Sequence, residues 1–340
     1  MNIGFFIYPS AAVNPASNGI RSQALTWKKG LEEMGHQVGL LSSWSDIDLG
    51  LLDIVHLFGP GLWLKGLAGE LAGRGRRLVL SPILDTTKPL WAYSCASRLT
   101  SSRLGLVSNP GLLREIRPYF SAIFVRSAHE ESVFVRALGY SPASVRTVRI
   151  GCRFTPDPNE GSGKIERSGI LHVSSIYQRR KNVARLIAVC EDLEVPLRLV
   201  GDLREREDGG EIRRLLEASK WAQYLGVLND DELVKEYAKA KVFCLPSVYE
   251  GVGLVALEAA AFGCDVVITQ NGGPPDYFGN FARYVNPVST KDIKAKLKIA
   301  LSHTTQPNLA RHVCENHSLR SSSRALESEY RRLIEFGAIK

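Results

Sequence analysis

"PSVYEGVGLVALEAAAFGCDVV", residues 246–267, sets two glutamates, Glu250 and Glu258, in an otherwise apolar and glycine-dotted run. A carboxylate in such surroundings costs free energy unless something pairs with it. The preceding "KVFCLPS" reads as a buried strand, "VYEGVG" as a glycine loop and "LVALEAAAFG" as a helix ended by Gly263. Strand, loop and helix in that order form the repeating unit of a parallel α/β sheet, in which ligands meet the carboxyl ends of the strands.

The same alternation runs outward in both directions. Before the stretch come the strand-like runs "IGFFIY", "QVGLLS", "DIVHLFG", "RLVLSP", "AIFVRS" and "VRTVRI", separated by amphipathic segments such as "IRSQALTWKKGLEEMG" with Gly35 as a stop. Residues 151–169, "GCRFTPDPNEGSGKIERSG", are rich in Gly, Pro, Ser and charge and read as a linker. The pattern then restarts with "ILHVSS", "PLRLVGD", "WAQYLG", "KVFCLP", "DVVITQ" and "ARYVNP". The expectation is α/β throughout: two doubly wound parallel-sheet domains facing a cleft. A chain of 340 residues agrees with two domains rather than one core.

Composition excludes several classes. Apolar residues are 44% and charged residues 23%, which is globular rather than disordered. The six cysteines are scattered without a C-x-x-C, so buried free thiols are expected rather than disulfides or zinc. No apolar run approaches the ~18 residues of a spanning helix, and "MNIGFFIYPS" reads as a first strand rather than a leader. A soluble, cytoplasmic protein is expected. The net charge of +8 is uneven: residues 1–150 hold 16 Lys/Arg against 10 Asp/Glu, and the remainder 27 against 25. Residues 86–120 carry Lys88, Arg98, Arg103, Arg114 and Arg117 among Trp91, Tyr93, Tyr119 and Phe120. Such a patch suits a peripheral contact with an anionic membrane face, a nucleic acid or an acidic substrate, and also reads as a solvated helical face over core aromatics.

Gly251 and Gly253 leave the loop without side chains, so backbone N–H groups at the helix start can approach an anion. "GVGLVA" also matches a degenerate dinucleotide fingerprint, but the acidic residue that should end the following strand is replaced by the turn "NGGPPD". Each carboxylate can accept hydroxyl hydrogen bonds from a vicinal diol, the chemistry of sugars and ribose. Upstream, "VSSIYQRRKN" puts Arg179, Arg180 and Lys181 between a strand and a helix. Cations there oppose the helix dipole and suit a bound diphosphate instead. Asn18-Gly19, opening the first long helix, is a second candidate anion site.

With these residues in view the chain resembles the retaining GT-B glycosyltransferases with the E-x7-E signature, the glycosyl transferases group 1. The resemblance is most specific over residues 222–276. It implies two Rossmann-like domains, residues 1–152 on the acceptor side and 153–321 on the donor side, with a C-terminal helix over about 322–340 crossing back to the first. It implies that Glu258 holds the donor ribose and Glu250 the transferred sugar, while the backbone of Gly251, Val252, Gly253 and Leu254 holds the sugar and distal phosphate. Arg180 and Lys181 would neutralise the departing diphosphate, Asn18 and Gly19 would approach it, and the base would lie near Gly201 and Leu228. Such a site uses a nucleoside-diphosphate sugar as substrate and needs no cofactor or metal, so "SDIDLG" is read as a loop.

The chain departs from the family pattern at Ser174-Ser175, where an arginine is common, at Leu84-Asp85, where a histidine is common, and at Val252, where phenylalanine is usual. Asp85 and His56 are the acceptor-side candidates. The expected partners are a nucleotide-sugar donor and a glycan or lipid-linked acceptor, with no nucleic acid. Two other readings stay open: an NAD-dependent oxidoreductase built on "GVGLVA", and a GT-B-like binding subunit without turnover.

Overall fold

Strand β1 (Asn2–Ile7) is apolar at nearly every position, and β3 (Ile54–Phe58) is buried at all of them, because both faces of the sheet they enter are covered by helices. The structure, a computed structural model, describes residues 1–8, 19–42, 48–85, 88–100, 107–156, 166–303 and 307–337. The chain divides into two compact units, residues 1–150 with 319–340, and residues 151–318. Each is a six-stranded, wholly parallel sheet flanked by helices. The two-sheet α/β expectation therefore holds.

In the first unit β1 and β3 are joined by β2 (Gln37–Leu40), β4 (Leu78–Ser81), β5 (Ala122–Val125) and β6 (Val145–Thr147), in the order β2-β1-β3-β4-β5-β6. The strand order reverses between β1 and β3. Its aromatic core includes Phe5, Trp27, Phe58 and Phe124, all sealed from solvent. His56 lies among them, stacked on Phe58 with centroids 4.0 Å apart. Its Nδ1 meets Tyr330 Oη at 2.6 Å and its Nε2 meets Ser81 Oγ at 2.9 Å. Burial holds its pKa well below the usual imidazole value. The acceptor-side expectation for His56 is corrected: the ring is fully buried, both nitrogens are used, and its work is to tie β3 to the last helix.

That last helix, Leu319–Phe336, is part of the first unit and packs on the helix Gly19–Glu33. Trp27 Nε1 donates to Ser322 Oγ at 2.8 Å, Ser322 Oγ donates to the Arg149 carbonyl at 2.8 Å, and His36 pairs with Glu327 at 2.9 Å. The two helices approach closely at Gly30, where an added Cβ would lie 1.9 Å from Ser323 Oγ and 2.8 Å from Ser323 Cβ.

The second unit holds β7 (Ser168–Val173), β8 (Leu197–Val200), β9 (Ala222–Gly226), β10 (Ala240–Leu245), β11 (Asp265–Thr269) and β12 (Arg283–Val285), in the order β12-β11-β10-β7-β8-β9. Its first strand is central and the order reverses between β7 and β10, the position where open α/β sheets bind ligands. The linker expectation for residues 151–169 needs correction at both ends. Gly151 and Cys152 are buried, with Cys152 N–H donating to the His317 carbonyl at 2.8 Å, and residue 168 already begins β7; residues 157–165 lie outside the described ones. The six cysteines are free, as expected, and four are buried. Burial pushes the Cys152, Cys190 and Cys264 thiols up to about 12, so none of these three is a ready nucleophile.

Gly30 permits a prediction of unusual sign. Glycine to alanine inside a helix normally stabilises by ~1 kcal/mol. At Gly30 the overlap with Ser323 outweighs that gain, and an overpacked contact costs ~1–3 kcal/mol. Gly30→Ala should therefore lower the melting temperature, and the double variant Gly30→Ala/Ser323→Gly should recover most of the loss.

Candidate functional site

The loops that follow β7, β10 and β11 are three neighbours at the carboxyl edge of the second sheet, and the residues anticipated for chemistry lie on them. After β7 the chain runs through Ser174 and Ser175 to a single 3-10 turn, Arg179–Lys181, and then to Asn182 with φ 60° before the helix Val183–Leu193. Asn182 Nδ2 donates to the carbonyls of Pro246 (2.9 Å) and Pro287 (2.8 Å), and Val248 N–H donates to the Arg180 carbonyl at 2.8 Å. The β7 loop is thereby laced to the β10 loop. Asn182 is a contributor whose sequence signal is its place in "RKN", just before a helix.

Glu250 is held from its other side by "NGG". Its N–H donates to the Asn271 carbonyl and its own carbonyl accepts from Gly273 N–H, both at 3.1 Å. A Cβ on Gly272, which has φ 106°, would sit 2.0 Å from that carbonyl oxygen, so only glycine allows the approach. So fixed, Glu250 forms a buried ion pair with Lys181; the two residues are 7% and 8% exposed. The Arg180 guanidinium stands 3.9 Å from the same carboxylate and is 43% exposed. Arg179 points elsewhere, onto Asp208 at 2.8 Å, with its side chain in solvent. Of the two arginines left open by the sequence, Arg180 is the one beside Glu250.

Beneath this pair lies His172 on β7, fully buried. Its Nδ1–H donates to the Cys244 carbonyl at 2.8 Å, which fixes the tautomer and leaves Nε2 to accept from Ser174 Oγ at 2.7 Å. Burial pulls its pKa down from 6.5 to about 4, so it is neutral at pH 7.

Gly251, Val252 and Gly253 are buried, and Gly253 takes φ 84° to start the helix Leu254–Ala261. Glu258 projects inward from that helix and is 1% exposed. Arg153 donates Nε–H to its Oε1 at 2.7 Å and Nη2–H to its Oε2 at 3.2 Å, and Tyr237 Oη donates to Oε2 at 3.0 Å. Burial, reinforced by the neighbouring carboxylate, keeps the Tyr237 phenol well above its usual pKa and therefore protonated. Arg153 also reaches Asp230 at 3.3 Å, at the start of the helix Asp230–Lys239. This partnership was invisible in sequence, since Arg153, Tyr237 and Glu258 are far apart along the chain.

Gly201 and Leu228 follow β8 and β9 on the same edge. Gly201 has φ 129°, and a Cβ there would meet the Ser174 carbonyl at 1.8 Å, so its backbone lies against the β7 loop. Val227, beside Leu228, is 73% exposed. Gly19, exposed, begins the helix Gly19–Glu33 of the first unit, and Asn18 lies outside the described residues. In the patch 86–120, Tyr93 and Phe120 are buried while Trp91 is 69% exposed. Asp85, in the first unit, pairs with Arg126 at 2.9 Å.

The edge of the second sheet thus offers cations at one loop, a carboxylate between two backbone clamps, and a second carboxylate under an arginine. The dinucleotide reading is not favoured, because β11 ends in Thr269 rather than in an acidic residue. His56 and His172, whose pKa values burial lowers, make stability pH-dependent in a defined direction. An imidazole whose pKa is lowered on folding favours the folded state above the unfolded pKa of 6.5, and that stability is lost as pH falls toward 4. Urea midpoints should drop between pH 6.5 and 4.5, with His172 accounting for up to ~3 kcal/mol, and His172→Gln should flatten the slope.

Comparison with known proteins bears on this edge directly. Residues 159–317 match the family model "Glycosyl transferases group 1". Sulfoquinovosyl transferase SQD2 of Arabidopsis thaliana is 30% identical over 178 residues, 49% of this chain and 34% of that protein. MMP alpha-(1->4)-mannosyltransferase of Mycolicibacterium hassiacum is 31% identical over 147 residues, 41% of this chain and 35% of that protein. The matches thus span about a third of the length of these relatives. Among solved structures, sucrose-phosphate synthase from Thermosynechococcus elongatus superposes with a TM-score of 0.71 over 98% of this chain and 99% of its own, at 17% identity. Anabaena Alr3699/HepE, solved in complex with UDP and glucose, gives 0.71 over 98% and 100%, at 14% identity. The chain therefore has the GT-B fold of these glycosyltransferases, and the second unit, which carries the clustered loops, is matched almost throughout by the glycosyl transferases group 1 family.

Proposed function

We propose that the protein is a retaining glycosyltransferase that moves a hexosyl unit from a nucleoside-diphosphate sugar to an acceptor hydroxyl, in glycan, polysaccharide or glycolipid assembly. The observation that carries this reading is the buried Lys181–Glu250 pair at the reversal of strand order between β7 and β10, with Arg180 alongside. In the reaction the bond from the sugar C1 to the diphosphate oxygen breaks as a bond from C1 to the acceptor oxygen forms on the same face, and the acceptor proton passes to the leaving diphosphate. Charge building on that diphosphate is met by Lys181 and Arg180 and by the N–H groups of Gly251–Leu254, so the reading calls for no metal. Glu250, shared between Lys181 and the sugar, accepts from sugar hydroxyls and fixes C1 relative to the cations.

Glu258 is assigned to the ribose, and Arg153 bears on how it gets there. Arg153 and Tyr237 fill both acceptor positions of Oε2 and one of Oε1, which leaves one at Oε1 for a ribose hydroxyl. Arg153 spans Glu258 and Asp230, next to the Leu228 turn proposed to meet the base. It thus keeps the buried carboxylate paired.

Two measurements test this. In a thermal-shift panel of UDP, GDP, ADP, dTDP and NAD, one diphosphate should raise the melting temperature, equivalent to ~2.7 kcal/mol at a hundred times its Kd. The shift should disappear in Lys181→Ala and in Glu258→Ala; a response to NAD alone, or to none of the five, would sink the reading. Arg153→Ala leaves Glu258 buried without its cation, which costs ~3–5 kcal/mol. That variant should melt well below wild type, with and without the nucleotide.

A further inference from the structure

The first unit holds a cavity of about 1100 Å³ at the carboxyl ends of β1, β3 and β4. It opens where that sheet reverses its strand order, the position at which α/β sheets take ligands. Ordinary small-molecule pockets run to ~300–1,000 Å³, so there is room for more than one sugar ring.

Its walls are largely aromatic and aliphatic. Trp63 stacks on Phe6 with centroids 5.3 Å apart, and Tyr8 leans on the same indole at 6.1 Å. Gly61, with φ 140°, passes so close to Trp63 that a Cβ would stand 2.8 Å from Cδ1, so the turn before Trp63 is shaped around the indole. The helix Leu90–Leu99 adds Tyr93 and the small residues Ala92 and Ala96 to the lining.

Two charged groups, Asp85 and Lys88, join the lining, and Asp85 is held in place by a buried network. Glu130, 1% exposed, accepts from Leu84 N–H at 2.9 Å and from Arg126 N–H at 2.7 Å, and it binds the Arg126 guanidinium. Arg126 in turn donates to Asp85 Oδ1 at 2.9 Å. Just before this turn Ile83 has φ 52°, a conformation that a β-branched residue adopts only when its surroundings impose it. Backbone and side-chain bonds thus combine to carry residues 83–85 out of β4 and to set Asp85 in the cavity lining, 41% exposed.

A carboxylate accepts a hydroxyl, and an aromatic-walled space beside it accepts hydrocarbon. We propose that this cavity binds an amphipathic alcohol, its hydroxyl-bearing head at Asp85 and its apolar chain or ring between Trp63 and the Ala92–Ala96 helix. Naming that alcohol the acceptor rests on the transferase reading; its binding does not.

The test is calorimetric titration of the full chain with glucose and with methyl, butyl, hexyl and octyl β-glucosides, below micelle-forming concentrations and without nucleotide. Affinity should climb by about two- to fourfold per added methylene. Ala96→Trp and Ala92→Trp, which fill the space from one wall, should remove the dependence on chain length while the protein still melts cooperatively. Asp85→Asn should weaken every member alike and leave the dependence unchanged. A phenyl glucoside tighter than the hexyl compound would assign a ring rather than a chain. Equal affinity for glucose and octyl glucoside, or a chain-length dependence that survives both tryptophan variants, overturns the proposal. Failure of the transferase reading would appear instead as a missing nucleotide shift, with these titrations unaffected.

Discussion

Lys181 and Glu250 are each nearly excluded from water, and neither charge would be tolerable there without the other. Removing one partner of such a pair leaves a buried, uncompensated ion at a cost of ~3–5 kcal/mol. The pair holds the β7 loop to the β10 loop, and everything around it is arranged to keep those loops together. Asn182 bridges two carbonyls, Val248 bonds to Arg180, and "NGG" grips both sides of Glu250. An ion pair replaced by apolar residues of the same volume would hold loops as well or better. That charge is kept here agrees with a site awaiting an anion and a set of hydroxyls.

Parallel sheets explain why both candidate sites lie at the same kind of place. Strands buried on both faces have no room for chemistry along their length, so reactive groups accumulate where strands end and loops begin. Each unit reverses its strand order once, and at each reversal neighbouring loops must diverge to opposite faces of the sheet, which opens a crevice. In the second unit the edge carries the charges of Arg180, Lys181 and Glu250. In the first it is lined by aromatic and aliphatic side chains with one carboxylate, Asp85, and one ammonium, Lys88. The difference in lining, more than the shared architecture, separates the anionic ligand proposed for one from the amphipathic ligand proposed for the other.

Much of the fold was legible in the chain. Strands such as "VFCL" and "DVVIT" are continuous apolar runs with helix-length segments between them, and that pattern has few solutions other than parallel sheets. Local motifs were legible as well, because the groups that matter are close in sequence: Gly253 before a helix, Arg180 and Lys181 after a strand, Glu250 ahead of "NGG". What resisted reading was any contact between distant segments. His56 looks in sequence like a candidate for chemistry, yet Tyr330, 274 residues away, makes it a buried strut. Glu258 looks open to a ligand until Arg153, 105 residues upstream, is found across it.

The sequence by itself determined the α/β alternation, the candidate loops and the residue types on them, because periodicity and turn chemistry act over a few residues. Only the tertiary structure decided which charges meet. It put Lys181 and not Arg179 on Glu250, set Arg153 over Glu258, and built the Glu130–Arg126–Asp85 chain beside an aromatic cavity. Ion pairing depends on a few ångströms of separation and on local exclusion of water. Both are properties of how the sheets and helices pack, and no spacing along the chain encodes them.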